Sequence, residues 1–97
     1  MSRFEWDKEK ASKNKQDHDG ISFEEASEIF DDPFILSTVD DRFDYGEERW
    51  IGIGLTKSGK LLVVAYKLLD QHSPERIRII SAREANKKEQ KAYETDS

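Results

Sequence analysis

The sequence predicts an α+β domain: a small antiparallel sheet, formed by a three-stranded meander and a short N-terminal strand, with two helices before the meander and one after it. Three observations carry this. Phe23, Ala26, Ile29 and Phe30 recur at helical spacing behind a capping signal. Residues 49–55 and 61–66 read as strands joined by the turn Lys57-Ser58-Gly59-Lys60. Arg76-Ile77-Arg78-Ile79 alternates cationic and apolar side chains with a period of two. Helices placed at the two ends of a run of strands are the α+β pattern.

Taken in order, residues 3–6 place Phe4 and Trp6 on one side of a short strand. Asp7 is suited to cap a helix over Lys8 to Asp17, which is polar all round, with Ala11 nearly its only apolar member. Asp19-Gly20 breaks it, and Ser22 with Glu25 forms a capping box for the second helix. Asp31-Asp32-Pro33 ends that helix, because the residue before a proline resists the α region. Residues 34–39 read as a short extended stretch, and 40–48 as an acid-rich loop. In the first meander strand Ile51, Ile53 and Leu55 share one face, and Gly52 and Gly54 leave room on the other for a helix, for the neighbours of Trp50 or for a ligand. Leu61 to Tyr66 is continuously apolar, as in a central strand covered on both faces. Leu68 to Pro74 reads as a longer connection holding His72. Ser81 and Glu84 then match a capping box, so the last helix is expected from Ala82 to about Tyr93, with Arg83 in its first turn. Three guanidiniums, Arg76, Arg78 and Arg83, would therefore stand where a strand hands over to a helix. Two readings stay open for them: structural ion pairs on a solvated face, or a grip on a carboxylate or phosphate.

At 97 residues the chain is expected to form one domain over residues 1–97. It has no cysteine, which excludes disulfides, thiolate catalysis and cysteine–zinc clusters. No apolar stretch is long enough to span a bilayer and no signal-peptide pattern opens the chain, so a cytoplasmic protein without membrane contact is expected. The net charge of −5 speaks against general polyanion binding, but the charge is divided. Between Asp19 and Glu48 the only base is Arg42, whereas bases prevail from Lys57 onward.

Several runs together resemble one family. They are Phe4-Glu5-Trp6-Asp7; Asn14 and His18; Gly20-Ile21-Ser22-Phe23-Glu24-Glu25-Ala26; Phe30-Asp31-Asp32-Pro33; Glu48-Arg49; and Arg78-Ile79-Ile80-Ser81-Ala82-Arg83 with Glu89 and Tyr93. In this order, over nearly the whole chain, they are similar to the BrnT family of bacterial toxins. The resemblance implies a RelE-like fold and a ribonuclease toxin of a type II toxin–antitoxin system. It also implies a BrnA-type antitoxin whose ribbon-helix-helix part binds operator DNA, so that the toxin reaches DNA only through its partner. Two segments depart from the family pattern: Asp17 and Asp19 around His18, and the long connection at 68–74.

Cleaving RNA without a metal or cofactor requires a proton acceptor for the 2′-hydroxyl, stabilisation of phosphate charge, and a donor for the leaving oxygen. His18 is the expected general acid or base, with Glu48 as the second candidate base. Arg78 and Arg83, assisted by Arg49 or Arg76, are expected to stabilise the charge. Trp6 is expected to stack on a base, and Lys10, Lys13, Lys15 and Lys87 to hold the RNA backbone. A second reading is a non-enzymatic interaction module that acts with its antitoxin as a co-repressor; the net acidity and the altered residues 15–20 motivate it.

Overall fold

A computed structural model describes residues 3–18, 20–40, 48–70 and 73–96, with the backbone alone at 73–75 and 96. The elements are β1 (Phe4–Glu5), α1 (Lys8–Asp17), α2 (Phe23–Ser27) continued by a 3-10 turn (Glu28–Asp31), β2 (Leu36–Asp40), β3 (Arg49–Leu55), β4 (Leu61–Asp70), β5 (Ser73–Glu84) and α3 (Lys87–Asp96). The strands form one sheet in the order β1-β5-β4-β3-β2. The β2/β3, β3/β4 and β4/β5 pairs are antiparallel, but β1 runs parallel to β5, with Phe4 opposite Ile77 and Glu5 opposite Arg78. The sheet is therefore mixed, which corrects the expectation of an antiparallel one. No tight turn joins β1 to β5, so nothing local imposes the antiparallel sense. The meander also gains a fourth strand, because residues 36–40 pair with β3 from Leu36↔Ile53 to Asp40↔Arg49.

One face of the sheet carries the main core. Leu62, Val64, Tyr66, Ile77, Ile79 and Ala82 project from β4 and β5 against Ile21, Phe23, Ala26 and Ile29. Full burial of Phe23, Ile29, Leu62 or Ile77 each contributes roughly 1.5–3 kcal/mol. The 3-10 turn lies across the glycines of β3. A Cβ on Gly54 would stand 2.9 Å from Ile29 Cβ, and one on Gly52 3.2 Å from the Tyr66 ring. The space left by these two glycines is filled by a covering element, as the alternation in β3 implies. Phe30 stands edge-on to Tyr66, with ring centroids 4.9 Å apart.

The caps explain where the early helices begin. Asp7 accepts from Glu9 N–H at 2.8 Å and Lys10 N–H at 3.1 Å, and these two bonds hold its carboxyl below the usual range. Ser22 accepts from Glu25 N–H at 3.0 Å; the Glu25 carboxylate pairs with Lys60 at 3.2 Å.

The last helix departs from expectation. Strand β5 continues to Glu84, and α3 starts five residues later than expected, at Lys87. Its cap is Asn86, whose Oδ1 accepts from Glu89 N–H at 2.8 Å while Glu89 Oε1 accepts from Asn86 N–H at 2.9 Å. Two box-like patterns compete here, and the ladder decides between them: Leu62, Val63, Val64 and Ala65 pair with Glu84, Arg83, Ala82 and Ser81. A shift of register falls between Ala65↔Ser81 and Tyr66↔Ile79, leaving Ile80 as the extra residue of a bulge. The bulge resets the alternation, so Ile77, Ile79 and Ala82 all reach the main core while Arg78 and Arg83 share the opposite face. The connection expected at 68–74 is replaced by strand up to Asp70, which pairs with Ser73; His72 lies outside the described residues. Most of the acid-rich loop, residues 41–47, also lies outside them.

Candidate functional site

Among the described residues, the face of the sheet opposite the main core is covered at one end only. There Tyr93 of α3 packs with Ile53 and Val63, and with the half-buried Leu36, Ile51, Leu61 and Ala85. Two clasps fix α3. Arg83 Nη1 and Nη2 donate to the Glu89 carboxylate at 2.7 and 2.6 Å, a bidentate pair. Tyr93 donates its hydroxyl to Asp32 Oδ2 at 2.5 Å, and Asp32 also accepts from Leu55 N–H and Phe34 N–H. Burial and the neighbouring carboxylate push Tyr93 up to about 12. Burial works against the charge on Asp32, but the bonds from Tyr93, Leu55 and Phe34 outweigh it and hold that carboxyl below its usual value.

Beyond α3 the uncovered part of this face forms a cleft of about 290 Å³. Ile51, Val63 and Ala65 make an apolar floor; Arg49, Arg83, Asp40 and His18 stand around it, with Ser81 at the bulge. Strand geometry sets the spacing. Arg83 and Arg49 lie two strands apart and are offset by four residues along the sheet, so their backbones are separated by roughly 16 Å. Two arginine arms thus reach toward the cleft from opposite sides. Between them the floor offers no charge, so an anion in the cleft would be gripped at its edges.

His18 reaches the cleft from the end of α1. Its N–H donates to Asn14 C=O at 2.9 Å, and its C=O accepts from Ile21 N–H at 3.0 Å. The helix itself is held to β5 by Asn14, which is 6% exposed. Asn14 Nδ2 donates to Ala82 C=O at 2.8 Å and to Ile21 C=O at 3.1 Å, and Asn14 Oδ1 accepts from Ala82 N–H at 3.1 Å. Asn14 therefore satisfies backbone groups of β5 beyond the last residue paired by β1, and places the helix end over the bulge.

Of the residues singled out from sequence, His18, Arg49 and Arg83 converge on the cleft. Arg78 does not line it. It lies on the same strand face, roughly 15 Å from Arg83 along β5, and donates to Glu5 Oε2 at 2.6 Å. Arg76 reaches the other Glu5 oxygen at 3.5 Å. The arginine cluster expected at a strand–helix junction is thus divided, and each of its members meets a carboxylate. Arg83 belongs to the strand and not to a first helical turn. Glu48 is exposed and accepts from the Trp50 indole N–H at 3.2 Å. Trp6 packs edge-on against Phe23 at 6.0 Å, on the main-core side, so its ring is engaged by the protein. Lys15 and Lys87 are exposed on α1 and α3 away from the cleft, whereas Lys10 and Lys13 line a groove that adjoins it.

Three contributors were given no part in the site from the sequence, although Asn14 is among the residues that carry the family resemblance. Asp40 is 9% exposed beside the cleft and stands opposite Arg49 in the β2/β3 register. Ser81 reads as a cap until the bulge brings it to the cleft. Asn14, a poor helix former in mid-helix, offers a signal in hindsight: a buried side-chain amide in a polar helix has partners elsewhere.

Comparison with known proteins bears on the family and the fold. The family model described as the ribonuclease toxin BrnT of type II toxin–antitoxin systems matches residues 6–89. The crystal structure of the Brucella abortus ribonuclease toxin BrnT superposes with a TM-score of 0.56 at 20% identity, over 84% of this chain and 94% of that one; at that identity the likeness establishes the fold. No curated protein sequence matches. The match covers the clasped arginines, the Asn14 anchor and every wall of the cleft, and the chain belongs to the BrnT family of ribonuclease toxins of type II toxin–antitoxin systems.

Proposed function

We propose that this chain is a single-domain, cytoplasmic RNA endonuclease toxin of RelE-like type, cutting RNA without a metal ion. One observation carries the proposal: His18, Arg49 and Arg83, drawn from three separate elements, converge on one cleft. His18 takes the proton from a 2′-hydroxyl, since the imidazole is the side chain that titrates nearest neutrality. The 2′ oxygen bonds to the adjacent phosphorus, the bond from phosphorus to the 5′ oxygen breaks, and a solvent water protonates that leaving oxygen, giving a 2′,3′-cyclic phosphate and a 5′-hydroxyl. Arg83 and Arg49 donate to the non-bridging oxygens as charge builds on them. The bidentate bond to Glu89 holds the Arg83 guanidinium in a fixed orientation, so Glu89 acts through Arg83 as a positioning residue. Purified protein incubated with cellular RNA, with and without chelator, is the test. Cleavage that survives the chelator and falls about 10²-fold or more in His18→Ala supports the assignment. Absence of cleavage by fresh protein, or equal cleavage by the variant, refutes it.

A second reading has its own observation. Arg78 and Arg83 are already bonded to Glu5 and Glu89, as structural ion pairs would be. On that reading the chain is an interaction module that represses its operon together with its antitoxin, and the cleavage assay separates the two. Under either reading the partner is a BrnA-type ribbon-helix-helix antitoxin that carries the DNA contact. Its binding segment covers Arg78 and Arg83; both guanidiniums should lose reactivity toward an arginine modifier in the complex, and equal reactivity free and bound would rule this out.

A further inference from the structure

A second groove, of about 190 Å³, opens beside the cleft along α1, and Lys10, Lys13, Asn14, Asp17, His18, Ile80 and Ser81 line it. His18, Ile80 and Ser81 line both, so the two depressions meet at the bulge of β5. We infer that they form one continuous track for single-stranded RNA, in which Lys10 and Lys13 hold phosphates flanking the nucleotide bound in the cleft. The inference rests on the ribonuclease reading for the identity of the ligand, and the track itself on geometry.

Four features carry it. Lys10, Lys13, Asn14 and Asp17 follow the i, i+3, i+4, i+7 spacing of one helix face. Asn14 is fastened to β5 from the middle of that face, which holds the helix that bears the two lysines against the strand. Neither ammonium is within salt-bridge distance of a carboxylate among the described residues, in contrast to Arg76, Arg78 and Arg83, and Lys10 acts on Asp7 only at longer range. Finally, the two depressions share Ile80 and Ser81 at the bulge, and His18 lines both, so a chain passing from one to the other crosses β5 beside His18. A scissile bond there would have nucleotides on both sides, one in the cleft and the next on α1. Asp17 lines the groove near its His18 end and repels phosphate, which confines the phosphate contacts to the lysine end. Its carboxylate suits a ribose hydroxyl or a base amino group. Lys8 and Lys15 line neither depression, so they serve as controls of equal charge on the same helix.

The test is binding of a short, fluorescein-labelled 2′-O-methyl oligouridine, which cannot be cut through its 2′ oxygen, measured by anisotropy over a range of KCl. Two phosphate contacts on a single strand contribute about 1.4 to the slope of log K against log salt. Lys10→Ala/Lys13→Ala should lose that much slope, and Lys8→Ala/Lys15→Ala should lose far less. With cleavable substrates the first pair should slow cutting of a long oligonucleotide more than cutting of a dinucleotide, which has no flanking phosphate. An unchanged slope, an equal loss in both double variants, or no binding by the parent protein overturns the track. Parent protein that binds with the lysine-dependent slope yet cuts nothing leaves the track standing and refutes only the nuclease reading. Parent protein that cuts RNA while Lys10→Ala/Lys13→Ala leaves the slope unchanged refutes the track alone.

Discussion

Replacing Asn14 by alanine should cost this protein a large share of its stability, and the magnitude follows from the bonds that are lost. The variant strands Ala82 N–H, Ala82 C=O and Ile21 C=O at a site that is 6% exposed. An unmet buried donor costs about 2 kcal/mol, and each carbonyl, with a second lone pair and a groove nearby, about 1 kcal/mol. Better helix propensity returns roughly 0.5 kcal/mol. The net loss is about 3.5 kcal/mol, from a total of roughly 5–15 kcal/mol for a domain of this size. Urea unfolding followed by tryptophan fluorescence should show a midpoint lowered by about 2 M with an unchanged slope, and Tm should fall by about 12–20 °C. Asn14→Asp sharpens the test. Its carboxylate keeps the acceptor for Ala82 N–H but faces two carbonyls, so folding should raise its pKa above the unfolded value of about 3.9. The stability of that variant is then present below the unfolded pKa and is lost as pH rises through the folded one. A loss below about 1 kcal/mol in Asn14→Ala, or a pH-independent Asn14→Asp, would show that α1 is not held by this amide.

Further outcomes concern the two clasps and the glycine contact. Tyr93 has a folded pKa above its unfolded value, so the stability it contributes is present below about pH 10 and lost as pH rises through about 12; Tyr93→Phe should remove that alkaline transition in a thermal-melt series. Asp32 has a lowered pKa, so its contribution is present above about pH 4 and lost as pH falls through the folded value; the same melts should show Asp32→Asn without that acid limb. Glu89→Ala removes both the bidentate partner of Arg83 and half of the α3 cap; with the pair partly exposed, about 1 kcal/mol should be lost in urea unfolding, with faster amide exchange across Lys87 to Gln90. Gly54→Ala drives a Cβ to 2.9 Å from Ile29 Cβ, and overpacking should cost about 1–3 kcal/mol; a neutral result would mean that the 3-10 turn yields readily.

Much of the fold was legible because it rests on local chemistry. Asp7 and Ser22 cap the helices that follow them because a short side-chain oxygen reaches the first free N–H groups within three residues, whatever surrounds it. Gly52 and Gly54 announced a covering element because a missing Cβ admits only close approach. The alternation in Arg76–Ile79 assigned the faces of that segment for the same reason, since neighbouring side chains on a strand must point apart. The resemblance stated from scattered residues named the family that the match over residues 6–89 then established.

Where two local signals competed, or where partners lay far apart in the chain, only the assembled molecule decided. Ser81 with Glu84 and Asn86 with Glu89 are both plausible starts for the last helix, and the choice went to the later pair because β4 is long enough to keep β5 in the ladder through Glu84. Adding Ile80 as a bulge then set which arginines face the cleft, and that depends on a register no stretch of sequence contains. Pairing of Glu5 with Arg78, of Tyr93 with Asp32 and of Asn14 with Ala82 spans most of the chain, so these contacts exist only once β1, α1 and α3 are docked. Sequence determined the elements, their caps and the charges available; tertiary packing determined which of those charges meet a carboxylate and which line the cleft. Short-range bonding is written in adjacent residues, whereas the distance between two charges depends on every turn of the chain between them.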